Sequence, residues 1–184
     1  MHDPINHRDI LQFWFEEATP QQWFSKDDAF DETIRTRFGA IHAQATAGEL
    51  AHWRNFGAHG RLAEIIVLDQ FSRNLYRDDA RQFAMDTVAL VLAQEIVTSG
   101  FDQKLEPTER AFIYLPYMHS ESRLIHEEAL LLFTDLGLPL NLDFELQHKT
   151  IIDRFGRYPH RNDVLGRVST AEEIEFLKFE GSHF

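Results

Sequence analysis

The sequence predicts an all-α fold, a single-domain helical bundle over residues 1–184 with antiparallel helices and short loops. Two observations carry this. Apolar residues recur at helical spacing along almost the whole chain, and no run alternates apolar with polar as a half-buried strand does. Gly and Pro punctuate these runs at intervals that suit helices of ordinary length.

His7 to Glu17 is a short helix with a heavy aromatic load from Phe13, Trp14 and Phe15, and Thr19-Pro20 breaks it. Asp27 to Gly48 is the second helix, with Phe30, Ile34, Phe38 and Ile41 on one face and Gly48 as its stop. Gly57 to Gly60 reads as a turn before a helix from Arg61 to Tyr76. Leu62, Ala63, Ile65, Ile66, Val67 and Leu68 leave the start of that helix almost no polar face, which places it in the middle of the bundle. Ala80 to Ser99 reads as one amphipathic helix ending at Gly100. Thr108 is the expected N-cap of a long helical stretch to Leu136, and Pro116 should kink or split it by removing a backbone donor. Leu142 to Phe155 follows, with Gly156 near its C-terminus, and Thr170 with Glu173 makes a capping box for a last helix through Phe179.

Composition bounds the function. Cys is absent, so disulfides and thiolate metal sites are excluded, which suits a reducing cytosol. The stretch from Met1 to Arg8 lacks the basic-then-apolar build of a signal peptide, and the apolar runs are too short to span a bilayer. A soluble, cytoplasmic protein without a membrane partner is expected. The formal charge is −12, which argues against nucleic acid as a partner. The charge is uneven, however. Lys149 to Arg167 carries five cations against Asp153 and Asp163, a local +3 that leaves −15 on the other 165 residues. A basic island on an acidic protein suits a small anion better than a polyanion.

An Arg-Asn signature occurs twice, in Asp69-Gln70-Phe71-Ser72-Arg73-Asn74-Leu75-Tyr76-Arg77 and in Arg154-Phe155-Gly156-Arg157-Tyr158-Pro159-His160-Arg161-Asn162. Both copies abut apolar runs, and charges near a core must be paired or must bind something. In the first copy Asp69, Arg73 and Arg77 fall at steps of four on one helix stripe, where Asp69 can offset only one arginine. The second copy, between Gly156 and Gly166, is a loop crowded with donors suited to carboxylate or phosphate. A third element, Tyr117-Met118-His119-Ser120-Glu121, follows Pro116. Glu121 is a counter-charge for Arg73 or Arg161, and Asp86 is a second.

No metal or nucleotide motif reaches the same level. Glu145-Leu146-Gln147-His148 matches one Glu-x-x-His step of di-iron bundles, but no second step occurs. His126-Glu127-Glu128 lacks the second histidine of a zincin helix, and phosphate-binding glycine loops and the serine-hydrolase elbow are missing. Neither a metal nor a cofactor is expected.

The strings Leu68 to Asn74, Leu115 to Glu121 and Arg154 to Asn162 resemble the bacterial domain of unknown function 924 family, and the similarity covers nearly the whole chain. Ser72 stands where many members carry proline. The resemblance implies an all-helical, tetratricopeptide-like packing, although that repeat's consensus spacing is missing here. It implies no activity.

Three functional expectations follow. In the first, the motifs converge on one polar pocket: Arg73, Arg77, Arg157 and Arg161 hold a small anionic ligand, Asn74 and Asn162 orient it, and His119 or His160 is general acid or base with Glu121 fixing the imidazole tautomer. In the second, the protein is a tetratricopeptide-like adaptor for a peptide or protein partner. In the third, the motifs are architectural, every arginine being paired with no cavity left. The sequence does not fix the oligomeric state.

Overall fold

The computed structural model describes residues 4–179, 181 and 182. Met1, His2 and Asp3 of the N-terminal stretch lie outside the described residues, among which there is no strand. No helix of the described residues is long and apolar enough to cross a membrane.

The first helix, α1, covers His7–Gln12 and continues as a π-turn over Phe13–Glu17. Asn6 opens it by accepting from the Arg8 amide, while Asp9 reaches back to the Asn6 amide. After Thr19 come α2, Pro20–Phe24, and then α3, Asp28–Thr46, capped by the Asp27 carboxylate on the amides of Ala29 and Phe30. A 3₁₀ segment, Ala51–Phe56, leads into the central helix.

That helix is built in three pieces: α4 over Gly57–Ile66, a π-turn over Val67–Phe71, and α5 over Ser72–Leu75. Its early residues are buried, Leu62, Ile65, Ile66 and Val67 being 0 % exposed. Packed against it are α1, α3, α6 (Asp86–Thr98) and α7 (Pro107–Met118). The aromatic residues of the first helix interlock here, with Phe13, Phe38 and Phe71 in mutual ring contact and Trp14 edge-on to Phe112. The chain then forms α8 (Arg123–Leu136) against α7, and α9 (Pro139–Phe155) against α8, with Gly137 in the left-handed region at φ 73° between them. A smaller cluster of Ile151, Ile152 and Tyr158 with Phe155 and Phe176 seats the C-terminal segment and α10, Ala171–Phe176.

Several expected boundaries move, each for a local reason. Gly57 to Gly60 is the first turn of α4 rather than a loop before it. Gly60 is helical and pressed onto the preceding segment, so that an added Cβ would lie 1.9 Å from the Trp53 carbonyl oxygen. The expected single helix from Ala80 to Ser99 is a 3₁₀ turn, Ala80–Phe83, followed by α6, because Asp79 caps the Arg81 amide and Met85 leaves helical geometry. Glu106, not Thr108, is the N-cap of α7, its amide accepted by the Glu109 carboxylate and Pro107 in the first turn. Pro116 does not split its helix. The chain stays helical through Met118 and breaks just beyond, at 119–122. The last helix ends at Phe176, not Phe179.

Because the atom facing Gly60 is backbone, Gly60→Ala should destabilise the fold by about 1–3 kcal/mol, the usual cost of overpacking. Equilibrium urea denaturation checks this. An alanine variant as stable as the wild type would contradict the close approach.

Candidate functional site

The π-turn of the central helix carries a buried acid. Asp69 is a carboxylate 1 % exposed among apolar neighbours. Burial alone would raise its pKa, but Arg73 and His119 hold it well below the usual carboxylate range. Its Oδ1 accepts from Arg73 Nη1 at 3.0 Å and from His119 Nδ1 at 2.8 Å, while its other oxygen accepts from Gln70.

Arg73 lies one turn along the helix and is paired with two acids. Beyond Asp69 it makes a two-pronged contact with Asp86, at 3.0 and 3.1 Å. Asp86 is free to receive it because the break at Met85 puts that residue at the start of α6, where the helix dipole also favours an acid. Asp86 accepts a second arginine too, Arg161 Nη1 at 3.2 Å. Arg161 is 7 % exposed, with Phe83 and Tyr158 rings 4.3 and 4.5 Å from its guanidinium carbon. Burial pulls its pKa down from the ordinary arginine value and Asp86 works the other way. Its Nε has no hydrogen-bond partner among the described residues.

His119 is the first residue past α7. Donating from Nδ1 to Asp69 leaves Nε2 as the lone-pair nitrogen. Burial, then the Arg73 charge, lowers its pKa against the pull of Asp69, so the ring is neutral at pH 7. A cavity of about 290 Å³ opens beside it, lined by His119, Ser120, Glu121, Asp86 and Arg161 together with the apolar Phe83, Leu90, Pro116 and Leu165.

The segment that presents His119 is held by its backbone. Three successive carbonyls at the end of α7 each accept a side chain: Met118 from the Tyr158 hydroxyl at 2.5 Å, His119 from Arg161 Nη2 at 3.0 Å, and Ser120 from His126 Nε2 at 2.8 Å. Behind them His126 Nδ1 meets Glu145 Oε1 at 2.8 Å, both residues being 0 % exposed. Burial raises the Glu145 pKa. His148, one turn along, has its pKa lowered by burial to about 3.

The structure brings Arg73, Arg161 and His119 together, keeps Glu121 on the wall of the same cavity, and sends the other predicted site residues elsewhere. The central helix ends at Leu75, so Arg77 leaves the stripe it was expected to share with Arg73. Arg77 and Asn74 both bind Asp31 of α3, Asn74 Nδ2 at 2.7 Å and Arg77 Nη2 at 2.9 Å. Arg157 grips Glu173 of α10 at 2.6 and 2.8 Å. Asn162 donates to Ser169 and accepts from Arg167. His160 lies with its ring 5.5 Å from that of Tyr158. Glu121 makes its ion pair with Arg167, at 2.6 and 3.0 Å, rather than with Arg73 or Arg161, and accepts the Tyr158 amide at 2.7 Å; Arg161 acts on it only through its charge. Asp69, not Glu121, fixes the His119 tautomer, because it lies one turn before Arg73 on the helix that α7 packs against. The architectural expectation of full pairing describes Arg73, but Arg161 and the adjoining cavity depart from it.

Sequence reasoning missed Asp69 as the partner of His119 and Phe83 as the platform for Arg161. The signal for Asp69 was present, a lone acid following the unbroken apolar run from Ile65 to Leu68. Phe83 gave none, since it reads as one more apolar residue on an amphipathic face.

A helical bundle with an Asp–His pair and two arginines converging on one carboxylate is the class that fold and site define. The chain belongs to the family described as bacterial protein of unknown function (DUF924), whose profile matches residues 10–181. It is similar to a solved structure of a protein of unknown function from Agrobacterium tumefaciens, at 40 % identity and a TM-score of 0.89, over 94 % of this chain and 96 % of that one. No curated protein matches.

The lowered pKa of His148 sets a sign for acid stability. Between about 3 and its ordinary value of 6.5, the unfolded chain binds a proton that the native site refuses, so stability falls as pH falls through that window. His148→Gln should flatten the decline between pH 6.5 and 4.5 by up to about 1.4 kcal/mol per pH unit. Urea titrations at several pH values read this directly, and an unchanged slope would refute it.

Proposed function

We propose that this protein binds a small anionic molecule in the cavity beside α6 and the end of α7, with Arg161 as anchor and His119 as general acid–base. The observation that carries this reading is the Asp69–His119 pair lining a cavity that Arg161 also lines. A carboxylate that fixes Nδ1–H leaves Nε2 able to take a proton from a bound molecule or from a water beside it. The Arg161 guanidinium lies against two rings at the cavity wall, where its charge would attract an anionic oxygen. The cavity is at the small end of ligand pockets, which run from about 300 to 1,000 Å³, so a compact ligand is indicated.

A thermal-shift screen of small carboxylates and phosphates at low salt tests this. A true ligand at ten times its Kd adds about 1.4 kcal/mol of stability, and so raises Tm by roughly 3–5 °C in a domain of this size. The shift should vanish in Arg161→Ala and in Leu165→Trp, which fills the cavity without touching the charges. If no compound stabilises the wild type more than these variants, the reading fails.

A second reading, a tetratricopeptide-like adaptor, draws on exposed leucines of α8 and α9, Leu124, Leu131 and Leu140 being 66–71 % exposed. It calls for a peptide that protects those side chains from solvent, which hydrogen exchange with and without a candidate partner would detect.

A further inference from the structure

Resting on the anion-binding reading, we propose that the cavity takes a small monocarboxylate together with one proton, which lodges on His119 Nε2. The charges around the imidazole carry the argument. Asp69 and Arg73 face it from the central helix, Asp86 from α6 and Arg161 from the turn at Pro159–Arg161. With the ring neutral these four cancel. Glu121 and Arg167 cancel each other in a two-pronged pair. Tyr158 is kept protonated by burial, and His148 is kept neutral. The His126–Glu145 pair adds no net charge wherever its shared proton resides, since His126 Nε2 already holds one for the Ser120 carbonyl. The empty site is therefore electrically balanced.

A monoanion entering alone would leave an uncompensated negative charge beside Asp86 and Glu121, both of which line the cavity. One proton on Nε2 restores the balance. It also turns the lone pair, which would repel an anionic oxygen, into a second donor beside Arg161. Asp69 then faces an imidazolium, so nothing is left unpaired. A fixed dianion would need two protons, and the site has one acceptor for them. Apart from Thr87 the remaining lining, Ala80, Phe83, Ala84, Leu90, Pro116 and Leu165, is apolar and suits a short-chain or single-ring body rather than a bare oxyanion.

Isothermal titration calorimetry of the full chain, in buffers of different ionisation enthalpy at pH 7.5, distinguishes the outcomes. The probes are butyrate, benzoate and sulfate. We expect butyrate or benzoate to bind with close to one proton taken up per site, and Kd to rise about tenfold per pH unit above pH 7. Sulfate should bind at least tenfold more weakly. His119→Gln should abolish the proton uptake, and Leu165→Trp, which leaves the charges intact, should abolish binding. Carboxylate binding without proton uptake, or sulfate binding as tightly as the carboxylates, would overturn the proposal while leaving an anion site standing. Silence from every probe, with no thermal shift from any anion, overturns both.

Discussion

A carboxylate set inside an apolar helix must be answered, and much of the polar architecture is that answer. Asp69 sits in the π-turn of the central helix with apolar core around it. Left alone, its charge would cost several kcal/mol or be lost to protonation. Arg73 and His119 supply its partners, and Arg73, itself half-buried, takes a second acid. Asp86 meets it, and the break at Met85 allows this by putting Asp86 at a helix start. Asp86 in turn shares its second oxygen with Arg161, and Arg161 ties the C-terminal segment to the end of α7. One buried acid thus fixes a chain of contacts from the central helix to residues 158–161.

The same chain explains why the loop from Arg154 to Arg167 is so rich in donors. A helix that stops inside a protein leaves carbonyls without partners. At the end of α7 three of these are met by Tyr158, Arg161 and His126. The loop's other polar groups hold the loop itself: Arg157 and Asn162 reach Glu173 or its neighbourhood, and Arg167 reaches Glu121 and Asn162. The loop is therefore a clamp on the segment that presents His119. The doubled Arg-Asn string is a coincidence of composition, since its copies make different contacts.

The helices were legible because periodicity reports burial. The unbroken apolar run from Leu62 to Leu68 correctly named the central helix, and Thr170 with Glu173 correctly named a helix start. What failed was punctuation decided at a distance. Gly60 looked like a turn residue, yet it is small because the Trp53 carbonyl lies against it. Pro116 looked like the break, yet the helix runs on to Met118 and the split comes just beyond it. Within the site, Arg73, His119 and Arg161 meet and Glu121 lines the same cavity, while the other predicted residues lie elsewhere. Steps of four put Arg73 and Arg77 on one stripe only while the helix lasts, and it ends at Leu75. Pairings between distant acids and bases, such as Arg77 with Asp31 or Glu121 with Arg167, leave no local trace in the sequence.

Arg161 is where structural need and chemical opportunity separate. The charge of Arg73 is matched by Asp69 and Asp86, and such a cation explains itself by the fold alone. Arg161 shares one oxygen of Asp86, caps one carbonyl, and keeps one buried N–H unmet. For architecture only, that is an expensive arrangement, since a buried unsatisfied donor costs about 1–3 kcal/mol. The same guanidinium also lines the cavity, where an anion would meet its charge. The neighbouring His119 points the same way, because Asp69 commits one nitrogen and leaves the other as a base. Fold stability asks for the first contact. It does not ask for a cavity beside the second.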